Sequence, residues 1–205
     1  DVSRALELPG VASVLTSDDL INNSVSTDLH GRATAKSQQT DQPILIDDIV
    51  RYHGEPIALV AAETSAIAQK AIDLIEFDLE PVAGVYDPFE ALKPDAPIVF
   101  GTDNIVAQYK VRKGDLEAGF SAAEVIIENT FSTQFVEHAF LEPEVGLAWV
   151  DERDVINIRV STQNIERFRD VAEALGIPHA KVRIRGAMVG GGFGGSAVSS
   201  ASAAS

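Results

Sequence analysis

The sequence predicts an α+β protein, and two stretches carry that reading. In the first half, EPIALVAAETSAIAQKAIDLIEFDLEPV (residues 55–82) passes from a continuous apolar run to helical spacing and then to alternation. In the second half, the apolar runs GLAWVD and VINIRVS flank the turn DERD, and an amphipathic segment and another apolar run follow. The first pattern reads as strand–helix–strand, the second as a hairpin continued by a helix and a strand.

Taken in order, GVASVLTSDDL (residues 10–20) is a strand that ends in a Ser-Asp-Asp turn. Residues 21–42 are polar and poor in aromatics, an exposed loop by composition. A structureless connection of that length points to a function, an interface or disorder in isolation. EPIALVAAE (residues 55–63) is a buried strand, and Thr64 caps a helix with Ile67, Ala71 and Ile75 on one stripe. EFDLEPV sets Phe77 and Leu79 on one face of a second strand and Glu76, Asp78 and Glu80 on the other, until Pro81 ends it. VYDPFEALKPDAPIVFGTDN (residues 85–104) is a linker and domain boundary. It holds one short helix, PFEAL, with Asp87 as cap and Pro88 as first helical residue. AEVIIENTFSTQF (residues 123–135) is a long strand candidate. After the hairpin, Asn164 caps the helix IERFRDVAEALG, whose stripe is Ile165, Phe168, Val171, Ala172 and Leu175. Gly176 closes that helix, Pro178 forbids its continuation, and AKVRIRGAMV is a strand leading into a glycine loop. No internal repeat is visible.

Bulk properties exclude several classes. The chain has 205 residues and a formal net charge of −15, a field that repels phosphate backbones and excludes nucleic-acid partners. No apolar run is long enough to cross a bilayer. The start, DVSRALELPG, has no signal-peptide character and reads as the interior of a longer chain. With no cysteine, the chain has no disulfide, thiolate metal site or cysteine nucleophile, and any iron–sulfur cluster belongs to another domain or subunit.

Three motifs carry chemistry. Residues 190–195 read GGGFGG, and Gly190, Gly192 and Gly195 fit G-x-G-x-x-G. A dinucleotide fingerprint also needs a following helix and a distant acid, and neither follows here. A flexible linker into the Ser/Ala tail is the plainer reading. Phe193 argues against it, because a loop that approaches a ligand has use for a buried aromatic wall and a linker has none. In QFVEHAFLEPEVGLAWV, Glu137, His138, Glu142 and Glu144 lie close in sequence. One histidine among carboxylates, on no helix face, reads as structural, so no metal ligand is assigned. STQN (residues 161–164) is either a helix cap or the lining of a site at a helix N-terminus. H-E-x-x-H, G-x-S-x-G and G-x-x-x-x-G-K-[ST] are absent.

TQFVEHAFLEPE, followed by VSTQNIERFRDVAEALGIPHAKVRIRGAMVGGGFGG, resembles the molybdopterin-binding part of the xanthine dehydrogenase/aldehyde oxidase family, the molybdenum hydroxylases. VRYHGEPIALVAAETSAIAQKAIDLIEFDLEPV resembles the α/β hammerhead domain that precedes it, and NIVAQYKVRKGDLEAGFSAAEVIIENTF also matches. The resemblance runs from Gly10 to Gly195. It implies an α/β hammerhead domain over residues 1–86, a linker over 87–118, the N-terminal part of a molybdopterin-binding domain over 119–195, and a low-complexity tail over 196–205.

The function so implied is hydroxylation of an N-heterocycle or aldehyde carbon, with water as oxygen source and the molybdenum cofactor as the reacting group. Iron–sulfur clusters and FAD are expected on other domains or subunits. Residue by residue, the resemblance places Gly191, Gly192, Phe193 and Gly194 against the cofactor, with Phe193 on the substrate side, and adds Val136 and Gln163. Val136 is a departure, since the family commonly carries Gln two positions before the histidine. V-E-H-A instead resembles the purine and nicotinate hydroxylase-like branch, and Gln134 lies two residues away. Ser196 and Ala197 replace the Lys and acidic residues that normally follow the loop. The family's catalytic Glu base has no counterpart here, so no catalytic residue is assigned. The expectation is a fragment of a large subunit, inactive alone, cytoplasmic and part of an oligomer. Its partners would be the remaining molybdopterin-domain sequence and iron–sulfur and FAD subunits, with no membrane or nucleic acid. A non-catalytic scaffold and a nucleotide-binding protein are the competing readings.

Overall fold

The computed structural model describes all residues except 27–40, 100, 101, 106, 107, 109, 143, 144, 163, 164, 166, 167 and 194–205. Helices α1 (Ser3–Leu6) and α2 (Ser65–Ile72) pack against an antiparallel pair, β1 (Val11–Leu15) and β4 (Leu59–Ala62). Between the two strands in sequence, β2 (Val25–Ser26) pairs with β3 (Asp41–Gln42). The stretch that reads as one loop therefore opens and closes on a short ladder, and residues 27–40 lie outside the described ones.

The first core is built from small residues. Ala5 and Ala71 are fully buried beside Val14, and Val2, Leu8, Val11, Val60, Leu74 and Ile75 close around them. Alanines at the contact let two helices approach the sheet closely. Thr64 caps α2 as the sequence suggests, its Oγ1 accepting from the Ile67 N–H at 3.3 Å. Glu76 ties the far end to the start of the chain: its N–H donates to the Asp1 carbonyl (2.9 Å) and its carboxylate meets Arg4 (2.7 Å).

Two expectations fail here for one reason. The strand over residues 55–63 forms only as Leu59–Ala62, and the alternating EFDLEPV forms no strand, leaving Phe77, Leu79 and Val82 exposed. Alternation marks which residues share a face, but a strand exists only where its N–H and C=O groups find a neighbour. The same holds for residues 123–135, which form no described strand, with Val125, Ile126, Ile127 and Phe131 exposed.

The linker contains α3 (Pro88–Ala91), with the Asp87 carboxylate accepting from Phe89 N (2.7 Å) and Glu90 N (3.0 Å), as its sequence predicts. It is followed by α4 (Leu116–Ala122), capped by Asp115 through Ala118 N at 3.0 Å, a helix that begins within the stretch read as linker, before the strand candidate at 123–135.

The second core is a three-stranded sheet in the order β5 (Gly146–Val150), β6 (Ile156–Val160), β7 (Val182–Gly186). The β5–β6 pair is the expected antiparallel hairpin. Asp151 shapes its turn, accepting from Arg153 N and Val155 N and from the side chain of Asn157, which is buried. Strands β6 and β7 run parallel, so the chain must cross over between them, and α5 (Phe168–Ala174) makes that crossing. Ile158, Val160, Ala172 and Val182 form the buried centre, with Phe168, Val171, Ile177 and Ile184 packed on it. Ile165 and Leu175, assigned to the same stripe, are exposed, since the helix is shorter than its pattern. Asn164, the expected cap, lies outside the described residues.

At the helix end, Gly176 takes φ +63. Its N–H donates to the Glu173 carbonyl (3.1 Å) and the Ile177 N–H to that of Ala172 (2.9 Å), the paired bonds of a Schellman closure. A Cβ at Gly176 would stand 2.9 Å from the Ile21 side chain. The first part of the chain thus rests on this end of α5, and Asn22 N reaches the Ala174 carbonyl at 3.4 Å.

Candidate functional site

Parallel strands deliver their C-terminal ends to one edge of a sheet, where open α/β sheets collect ligands. Here β6 is followed directly by Ser161 and β7 runs into the glycine loop, with Ala187 N bonded to the Val160 carbonyl at 2.9 Å as the last rung. The starts of the two motifs, Ser161 and Gly190, therefore lie beside each other at that edge, both within reach of Glu142.

A third motif locks them together. The Glu142 carboxylate, from VEHAFLEPE, accepts the Gly190 N–H and the Ser161 hydroxyl (2.7 Å) on one oxygen, Oε2. Ser161 Oγ also lies 3.1 Å from the Met188 carbonyl. Space at the contact is tight: a Cβ on Gly190 would lie 2.6 Å from Glu142 Cβ and 3.3 Å from its backbone nitrogen. A Cβ on Gly191, which takes φ +122, would meet the Phe193 ring at 3.0 Å and Phe140 Cβ at 3.4 Å. These two glycines are required by the loop's own packing.

Phe193 differs from its expectation. Its ring is 76% exposed, although a ligand-approaching loop calls for a buried wall. One edge of the ring lies against Gly191, and the rest faces outward. Its φ of +46 lies in the left-handed region, which few side-chain-bearing residues adopt. Gly192, beside it, is buried.

The remaining candidates scatter. Val136 is 69% exposed, and Gln134 is exposed too, both outside any described strand. His138 pairs with its neighbour, donating its backbone N–H to Glu137 Oε1 at 3.0 Å. Gln163, Gly194 and Glu144 lie outside the described residues. No cluster of three or more metal-ligating side chains occurs among the described residues. Glu142, considered with the possible ligands, instead spends its carboxylate on the loop. Sequence reasoning had no signal for that role, because an acid in an unpaired segment shows no periodicity that names its partner.

Two carboxyls away from the loop titrate below the ordinary value. Asp151 is lowered first by the Asn157 amide and further by the N–H groups of Val155 and Arg153, against some desolvation. Asp47 is lowered mainly by the Asp48 backbone N–H.

A molybdopterin-type cofactor is a rigid polar group, and a loop without side chains at 190–192 offers it backbone rather than side-chain contact. The strand-end position of the loop fits such a group.

Both halves of the chain resemble known proteins. Residues 1–82 match the aldehyde oxidase and xanthine dehydrogenase a/b hammerhead domain, and residues 99–205 match the molybdopterin cofactor-binding domain. The nicotinate dehydrogenase large molybdopterin subunit of Eubacterium barkeri is 36% identical over 199 residues, which cover 95% of this chain and 44% of that protein. The xanthine dehydrogenase molybdenum-binding subunit of Escherichia coli is 31% identical over 194 residues, covering 93% of this chain and 26% of that protein. The crystal structure of the aldehyde oxidoreductase from Desulfovibrio desulfuricans superposes with a TM-score of 0.83 at 28% identity, covering 94% of this chain and 22% of that one. The chain thus spans less than half the length of each of these relatives.

Proposed function

This chain belongs to the aldehyde oxidase and xanthine dehydrogenase family, and on that premise we propose that it builds one wall of the cofactor site in a molybdenum hydroxylase. The observation that carries the reading is the glycine loop, held at the C-terminal ends of two parallel strands by Glu142 and Ser161. Backbone of Gly191, Gly192, Phe193 and Gly194 would hold the cofactor, with Val136 and Gln163 on its approaches and the Phe193 ring toward substrate. Molybdopterin, when bound, supplies the metal-centred oxidation that transfers oxygen from water to carbon.

The reaction is oxidation of an N-heterocycle or an aldehyde, and the nicotinate dehydrogenase relative favours the heterocycle. Electrons leave through iron–sulfur clusters and FAD on other domains or subunits, in a cytoplasmic assembly. No described residue is placed as general base. A scaffold role is the second reading, favoured by the exposed apolar side chains of Val125, Ile126, Ile127, Phe131 and Phe135.

The test is metal and pterin analysis of the protein purified from its source with the chains that accompany it. Molybdenum and pterin near one per chain are expected. A folded assembly with neither leaves the scaffold reading standing and the enzyme reading rejected.

A further inference from the structure

We infer that Glu142 is a positioning residue, which fixes the loop at residues 190–193 in the conformation the cofactor meets. The inference rests on the cofactor-wall reading above, while the clamp itself stands on this chain's own contacts.

A single carboxylate oxygen receives donors from two separate elements, the Gly190 N–H on the loop and the Ser161 hydroxyl at the end of β6. Ser161 follows directly on a strand paired on both sides, so its position is set by the sheet. Glu142 carries that position across to Gly190. Bonds to an ionised acceptor are stronger and shorter than neutral ones, which suits a hinge point that must not yield. Beyond Gly190, the chain passes through φ +122 at Gly191 and φ +46 at Phe193. A left-handed phenylalanine is costly and persists only where its surroundings over-determine it. The Glu142 contact, three residues earlier, is a polar constraint that holds the loop to the rest of the chain. Steric fit adds to it, since the absent Cβ of Gly190 is what lets the Glu142 backbone approach.

The chemistry ranks the substitutions. Glutamine keeps one amide oxygen in place that can accept both donors, whereas alanine keeps none. If the role is positioning, E142Q rescues what E142A loses.

The experiment uses the full-length protein with its accompanying chains. Hydrogen–deuterium exchange over residues 187–193 is measured for wild type, E142Q and E142A, together with molybdenum and pterin content and steady-state kinetics. E142A is expected to speed exchange of the Gly190 amide by about tenfold or more. It should also lower kcat more than it raises KM, while E142Q stays within about threefold of wild type in each respect. Unchanged exchange in E142A overturns the inference. So does E142Q as damaging as E142A, or a loosened loop with kcat and cofactor content intact. If E142A fails to fold, E142Q and S161A carry the test: S161A should speed the same exchange by about threefold, and no change overturns the proposal. Wild-type protein lacking molybdenum and pterin rejects the enzyme reading alone, because the exchange measurement still decides the clamp.

Discussion

Residues 146–186 and residues 123–140 contain comparable apolar side chains and fold differently. In the first stretch, Ile158 is 4% exposed inside a sheet covered by α5; in the second, Ile127 is 80% exposed on a segment outside any described strand. Both are legible as strand by composition. The difference is the neighbour: β6 has a partner on each edge and a helix on one face, and residues 123–140 have no described strand partner. Side-chain pattern proposes a strand, and backbone pairing decides it.

That comparison is broken most directly by paired truncations. Ile158→Ala should cost about 2–5 kcal/mol in urea unfolding followed by circular dichroism, the usual range for emptying a core site. Ile127→Ala should stay within about 0.5 kcal/mol. Equal losses would mean that the second stretch is packed in solution. Next in size, Gly176→Ala combines a left-handed φ with a clash against Ile21, and should lower stability by about 1–3 kcal/mol. A silent substitution there would mean that the contact between the two parts of the chain is not maintained. Thr64→Ala, which removes a cap in the first unit, should cost about 1 kcal/mol by the same measurement.

The smallest effect sharpens the comparison through pH. Asp151, in the turn of the folded sheet, is held below its ordinary 3.8, chiefly by the Asn157 amide. Its contribution is therefore present above 3.8 and is lost as pH falls through the lower folded value. Asp151→Asn should flatten the acid side of the stability curve, read as melting temperature against pH. A wild-type curve with no acid-side slope attributable to position 151 would mean that this turn does not couple folding to pH.

What can be read from sequence is local. The hairpin, the Asp87 and Thr64 caps, the Gly176 closure and the strand before the glycine loop each depend on residues a few positions apart. What cannot be read is non-local. Glu142 meets Gly190 across 48 positions, and nothing in VEHAFLEPE distinguishes a loop clamp from a metal ligand. Phe193 is expected buried because a loop that approaches a ligand has use for an aromatic wall, yet the residue is largely exposed, with one ring edge against Gly191. The helix α4 is within reach, since Asp115 stands three residues before its bonded N–H, but the polar, charged residues around it read as linker.

The close fit of Gly190 against Glu142 also limits how this protein can drift over generations. A methyl at position 190 and the present backbone path at position 142 exclude each other. Enlarging the first is tolerated only in a lineage where the second has already shifted, and shifting the second first leaves a loop amide without its acceptor. Neither order offers an easy intermediate. The two stretches are therefore expected to be inherited as a unit, with changes at these positions appearing together or not at all.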